Sequence, residues 1–283
     1  GDGNGNNTAV GHASQTNAST GEFNTSLGSL SMGTGVTTGD NNVAIGYQSG
    51  LALTSGSENI TIGRQAGDAI TTGTRNIAIG HAALSAEDEH GKNVAIGYLS
   101  LLTLNAGADG FNTAVGYESG TAMTTGVQNT LIGAQAGDAL TSGGDNVAIG
   151  FHALSTEDAN GRNVAIGAQA LQSQNAGANA FNVAVGFQSG LNVTTGTSNT
   201  SLGGLSGDSL TTGSNNTALG YASLGGDIAG ADNVAVGFGA MSATDNARAN
   251  VAIGFNALTA LDYGTLTYSH NIAIGFEAGK AIT

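Results

Sequence analysis

The chain has no proline, no cysteine and no tryptophan, and only 9% of its 283 residues are charged. Without cysteine there are no disulfides and no thiolate metal sites, and the redox compartment stays open. Basic residues are scarce too: Arg64, Arg75, Lys92, Arg162, Arg248 and Lys280 stand against a net charge of −14. That balance argues against nucleic acid and against anionic lipid surfaces as partners. No apolar run is long enough to span a bilayer and nothing resembles a signal peptide, so membrane insertion by this segment is not expected. Catalytic patterns are missing as well. The five His (His12, His81, His90, His152, His270) fall at unrelated places, no nucleophile or paired carboxylate recurs beside them, and there is no phosphate loop. The sequence therefore reads as non-enzymatic and without cofactors or a metal.

What the chain has in abundance is glycine, 48 residues, and a motif. Asn93-Val94-Ala95-Ile96-Gly97 returns in sixteen versions, starting at Asn7, Asn24, Asn42, Asn59, Asn76, Asn93, Asn112, Asn129, Asn146, Asn163, Asn182, Asn199, Asn216, Asn233, Asn250 and Asn271. The usual gap, about 17 residues, is too short for a helical hairpin and suits one coil of a β-solenoid. The fold class expected is therefore all-β, a parallel solenoid of about sixteen coils. At about 4.8 Å per coil the array would be a rod of roughly 75 Å. The repeat runs from end to end with no linker, so residues 1–283 read as one repeat domain. Gly279 to Thr283 match Gly67 to Thr71, and Gly1 to Asn6 match the tail of a coil. The polypeptide is therefore expected to continue in both directions.

Each column of the motif carries a requirement. After the Asn comes Val, Ile or Thr, and two places on an aliphatic residue, so the period of two puts both on one strand face, read here as the core face. The residue between them is Ala, Ser or Thr except at Leu131, and reads as a flat outer face for close approach of another chain. On this reading Ile149 is buried, whereas Glu157 lies in a solvated loop. The closing Gly is the turn that ends the strand. The Asn reads as a structural ladder, with amides bonding up and down the stack and αL tolerated at a corner. Sequons at Asn24, Asn59 and Asn199 are discounted because a glycan there would disrupt the stack.

Seven places after the Asn stands only Ala or Ser, such as Ser49 and Ala66. Five places after it stand Tyr47, Tyr98, Tyr117, Phe151, Phe187, Tyr221, Phe238, Phe255 and Phe276. Such a stripe is either a carbohydrate platform or the packing at the edge of a thin core. A longer period, four coils in length, starts at Asn42, Asn112 and Asn182. In the first two coils of each group Gly stands eight places after the Asn and an apolar residue three places later (Leu53, Ile70, Met123, Leu140, Val193, Leu210); in the last two the eighth place is Leu84, Leu101, Leu154, Leu171, Leu224 or Met241. Each coil thus supplies one more core residue from one of two corner types. The third coil carries an acidic loop, Glu87-Asp88-Glu89-His90, then Glu157-Asp158, weakening to Asp227. A metal site is one reading and a solvated turn the other. Asp68, Asp138 and Asp208 recur in phase and read as turn caps.

The run Asn-Val-Ala-Ile-Gly-x-x-Ser or Ala, as in Asn42 to Ser49 and Asn163 to Ala170, resembles the head repeat of YadA-type trimeric autotransporter adhesins. Similar runs occur in bacteriophage tail fibres. The resemblance implies a left-handed β-roll, three chains about a threefold axis, an extracellular place on a bacterial surface or a virion tail fibre, and a role in attachment to a host receptor or glycan. The coils are longer than usual for the family, and neither the stalk nor the membrane barrel is present. Direct contacts are expected where the repeat is broken, at Glu87, Asp88, Glu89, His90, Glu157 and Asp158 and in the irregular coil at Tyr263 and Tyr268. The alternatives are a glycan-degrading tailspike and an ice-binding solenoid. The second would need flat Thr-x-Thr ladders, whereas the corner threonines here are adjacent residues.

Overall fold

The computed structural model describes residues 5–260 and 262–280, and they are all-β, with no helix among them. Sixteen three-residue strands each begin one place after a motif Asn, from Thr8–Val10 to Ile272–Ile274. Contacts divide the chain into two compact units, 1–144 and 145–283. In the first, the strands from Thr8–Val10 to Thr130–Ile132 pair in sequence order, parallel and without slippage. Val94 thus sits opposite Ile77 on one side and Thr113 on the other. The second unit repeats this from Val147–Ile149 to Ile272–Ile274 and adds a two-stranded parallel sheet, Asp245–Arg248 with Asp262–Tyr268. One strand per coil, stacked on the same strand of the next coil, is a parallel β-solenoid, and the coil is the one that the motif spacing implies.

Three residues of strand leave most of each coil as turns, yet the turn backbone is paired as well. Gly50 N–H donates to Ala66 carbonyl (2.9 Å), Thr54 N–H to Thr71 carbonyl (2.9 Å) and Glu58 N–H to Asp40 carbonyl (3.0 Å), each in an adjacent coil. Stacking therefore satisfies backbone groups that an isolated turn would leave to water. The motif glycine is obligatory here. Gly46 has φ +129°, and a Cβ on it would lie 2.6 Å from the carbonyl oxygen of Gly63 directly across the stack.

The strand faces are the reverse of the expectation. The middle residue points into the coil: Ala44, Ala78, Ala95, Leu131, Ala148, Ala165 and Ala235 are 0–1% exposed. Its neighbours point outward, so Val94 and Ile96, like Val147 and Ile149, are only partly covered, and Ile274 is 67% exposed. The cause is volume. The interior is already occupied by the Ala or Ser seven places after the Asn, buried in all but the first and last coils, and by the buried apolar corner residues. A small inward residue fits beside them, and the bulky ones are left outside.

The two corner types fill the interior as the alternation implies: Leu53, Ile70, Met123, Leu140, Val193 and Leu210 in one, Leu84, Leu101, Leu154, Leu171, Leu224 and Met241 in the other, all buried. They exclude one another sterically. At Gly67 a Cβ would lie 2.7 Å from Ile70 Cδ1. The second type holds a bulky residue in the left-handed region, with φ 52° at Leu84 and Leu154. Such a residue costs roughly 1–2 kcal/mol, which burial of a leucine offsets.

Candidate functional site

The asparagines form a buried column within each unit. The Oδ1 of each accepts the backbone N–H of the next, as from Asn42 to Asn24 (2.9 Å), Asn76 to Asn59 (2.9 Å) and Asn216 to Asn199 (3.0 Å). The Nδ2 of most donates to a carbonyl fourteen places on, Asn59 to Gly73 and Asn182 to Gly196 (both 2.8 Å), whereas Asn93 Nδ2 donates to Gly91 (3.3 Å). Amide-to-amide bonds such as Asn59 to Asn42 (3.1 Å) are additional. The left-handed residue is not the Asn but the one before it, including Asn41, Arg75 and Phe111. Asn24, Asn59 and Asn199 are 1–2% exposed, so these three sequons present no amide to solvent.

The acidic turns are built differently from a solvated loop. Glu87, Glu157 and Asp227 are each 0% exposed. All three stand eleven places after the Asn, the place that Leu53, Ile70, Met123 and Leu140 occupy in other coils. Each carboxylate closes its own turn. Glu87 Oε1 accepts from His90 N–H (3.1 Å), Glu157 Oε1 from Asn160 N–H (3.3 Å) and Asp227 Oδ1 from Gly230 N–H (2.7 Å). Two of them also reach the following coil: Glu87 Oε2 accepts from Ala106 N–H (3.3 Å) and Asp227 Oδ1 from Asn246 N–H (3.1 Å). Burial pushes the carboxyls of Glu87 and Glu157 above the usual carboxylate range and that of Asp227 to about 6, against the opposing pull of the N–H donors. Asp227 and Gln174, another buried polar residue at this place, were not singled out as site residues; their position in an otherwise apolar column was the signal.

Glu87, Asp88 and His90 each bring a ligand atom within 4.8 Å of the others. Both Glu87 oxygens are committed to backbone N–H groups, and His90 Nδ1 lies 3.7 Å from Oε1. We assign no metal there. Glu89 and Asp158 are exposed. Tyr268 is exposed with Arg248 over its ring at 5.8 Å, while the Tyr263 side chain lies outside the described residues. Asp68 and Asp208 are half-buried, and burial raises both carboxyls.

The aromatic stripe is exposed rather than packed into the core, and it is stacked in part. Tyr98 stacks on Tyr117 (5.3 Å), and Tyr221, Phe238, Phe255 and Phe276 form a continuous stack at 5.3–5.4 Å. These rings are 43–74% exposed, and within a stack neighbouring rings cover each other's faces. At Phe187, 56% exposed, the coils on either side carry Ala168 and Gly204, so the stack is interrupted there.

Comparison with family models, with curated proteins and with solved structures gave no match. No helix among the described residues is long and apolar enough to cross a membrane.

Proposed function

We propose that this chain is a non-enzymatic scaffold, a segment of an extracellular attachment fibre in which copies of the chain pack side by side. The observation that carries this is the outward strand face. Within each unit two rows of β-branched and aliphatic side chains, such as Val94 and Ile96 in the first and Val147 and Ile149 in the second, stay part-exposed. A contiguous apolar strip of this kind marks an interaction surface. A second copy is the occupant that suits it, because parallel copies bring the same residue type to the same level on each chain. The resemblance of the repeats to trimeric autotransporter heads favours three copies and a left-handed coil, on a bacterial surface or a virion tail fibre, with attachment to a host receptor or glycan made by the fibre as a whole.

Two alternatives have less support. A glycan-degrading spike needs accessible paired carboxylates, and the most perturbed acids are buried and bonded to backbone. For ice binding, the corner threonines are spent internally: Thr54 Oγ1 donates to Thr71 carbonyl and Thr71 Oγ1 to Asp88 carbonyl, both at 3.0 Å. Light scattering on the purified chain tests the proposal. A multimer is expected, and Ile96→Asp with Ile149→Asp should dissociate it while leaving the β circular dichroism. A folded wild-type monomer at micromolar concentration would overturn the reading.

A further inference from the structure

We propose that the two gaps in the aromatic column beside Phe187 are sugar sites, each taking one uncharged pyranose of gluco configuration between two ring walls. The proposal rests on the attachment reading above and names its ligand. Five places after the Asn, successive coils of the second unit carry Phe151, Ala168, Phe187, Gly204 and Tyr221, and only then the unbroken run to Phe276. That run shows that one coil accommodates one ring, at 5.3–5.4 Å. Where a ring is missing the walls stand two coils apart, roughly 10 Å, which seats one guest ring about 5 Å from each. Among the described residues no ring stacks on Phe187, so neither of its faces is covered by a neighbour of the column. The floors are small. Ala168 adds a methyl, and the atoms nearest to a Cβ on Gly204 would be Tyr221 Cδ2 and Cε2, at 3.4 and 3.6 Å, and the Phe187 carbonyl oxygen at 3.9 Å.

Two walls set the stereochemistry of the guest. An aromatic face carries the negative side of a quadrupole and attracts polarised C–H groups. In a gluco pyranose every substituent is equatorial, so axial C–H groups cover both faces, whereas an axial hydroxyl interrupts one face in galactose and in mannose. The equatorial hydroxyls then project from the edge of the guest, where amides stand. Side chains six places after the Asn border those at five, as His152 does Phe151 at 4.1 Å. At this place Gln188 Nε2 donates to Gln169 Oε1 (2.9 Å), and Gln169 Nε2 donates to Gln172 Oε1 (3.0 Å). The relay leaves Gln188 Oε1 as an acceptor and Gln172 Nε2 as a donor with no partner among the described residues, the two functions that a pair of hydroxyls satisfies. A purely aromatic guest would leave both unused. The net charge of −14 disfavours acidic sugars. The Gly204 gap has Leu205 in place of an amide and is the weaker of the two.

Saturation-transfer NMR on the intact chain tests this, with the methyl β-D-glycosides of glucose, galactose and mannose as probes. The glucoside should bind in preference to the other two, and the C–H protons of both its faces should be saturated alike. Phe187→Ala removes the wall that the gaps share, and Ala168→Phe with Gly204→Phe fills them with rings that the neighbouring coils already carry at this place. Each variant should weaken binding about tenfold or more, with light scattering and β circular dichroism as in the wild type. The inference fails if galactoside and glucoside bind equally, or if one face of the glucoside alone is saturated, since either marks an open platform. It fails equally if the filled variant keeps its affinity, or if p-cresol binds and the glucoside does not, which would make the gaps sites for an aromatic group. A monomeric wild-type chain that binds the glucoside would overturn the packing of copies and leave the sugar sites standing.

Discussion

Leu131 is the one large side chain at the middle of a motif strand, and the solenoid makes room for it with glycine on both sides. A Cβ on Gly120 would lie 2.8 Å from Leu131 Cδ1, and one on Gly137 would lie 2.8 Å from Leu131 Cδ2 and from Leu140 Cδ1. Gly137→Ala should therefore destabilise by two separable effects. A non-glycine residue at φ +57° costs about 1 kcal/mol, and forcing a methyl against two packed leucines adds about 1–3 kcal/mol. Gly107→Ala isolates the first effect, because Gly107 has φ +66° with nothing within 4 Å of its Cβ position. Leu131→Ala alone should cost about 2–5 kcal/mol through lost burial and the cavity left behind. In the double variant the methyl moves into the vacated space, so the pair should be less damaging than the sum by about 1 kcal/mol or more. Urea midpoints and slopes for the four proteins complete the cycle. Additivity within about 0.5 kcal/mol, or equal costs for Gly137→Ala and Gly107→Ala, would show that Leu131 does not fill the space described.

Other consequences are as direct. Five carboxyls, Asp68, Glu87, Glu157, Asp208 and Asp227, are raised by burial, whereas the exposed Glu58 and Asp109 are lowered, by Arg75 and Lys92. A raised folded-state value means that the native chain holds protons the unfolded chain has released. Stability should therefore increase as pH falls from about 6 towards 4, with Asp227 alone contributing up to about 3 kcal/mol; a melting temperature that drops steadily across this window would contradict it. Asn59→Ala should cost about 2–4 kcal/mol, since it strands Asn76 N–H and the Gly73 carbonyl in the interior, and Asn59→Asp should be no better because a carboxylate cannot donate to Gly73; denaturant titration measures both. Glu157→Ala should be more damaging in a dissociated chain than Ile149→Ser, because Glu157 fills a closed corner and Ile149 does not. The reverse order of melting temperatures would restore the solvated-loop reading.

The coil length, the asparagine column, the glycine turn and the alternating corners were legible in the sequence because each demands one residue type at a fixed offset. The facing of the strand was not. A period of two says that Val94 and Ile96 share a face; it does not say which, and hydrophobicity pointed the wrong way because the interior was already full. The deciding signal was there in Leu131, the one bulky middle residue, which is flanked by Gly120 of the coil before and Gly137 of its own coil. The acids misled for a related reason. Consecutive Glu and Asp read as a wet loop, although only the first of each run falls in the core column. Nothing in the sequence names a receptor, and the contact residues expected at the acidic turns are in part interior.

Two of the three acids of the four-coil superperiod, Glu87 and Asp227, answer to backbone accounting. In the regular coils a turn N–H finds a carbonyl in an adjacent coil or, as Leu53 N–H does at Gly50, within its own turn, and a departure from the repeat leaves donors over. Ala106 lies in a coil longer than its neighbours and Asn246 in the short second sheet, and the N–H of each is donated to a carboxylate of the coil before. Glu87 and Asp227 stand beneath these two donors and supply the missing oxygen. Leucine would fill the same volume with less desolvation, but it would leave the donor orphaned at about 1–3 kcal/mol. An acid is therefore the residue that fits a core column beside an irregular coil, and the charge it carries above its raised pKa is the cost of the irregularity.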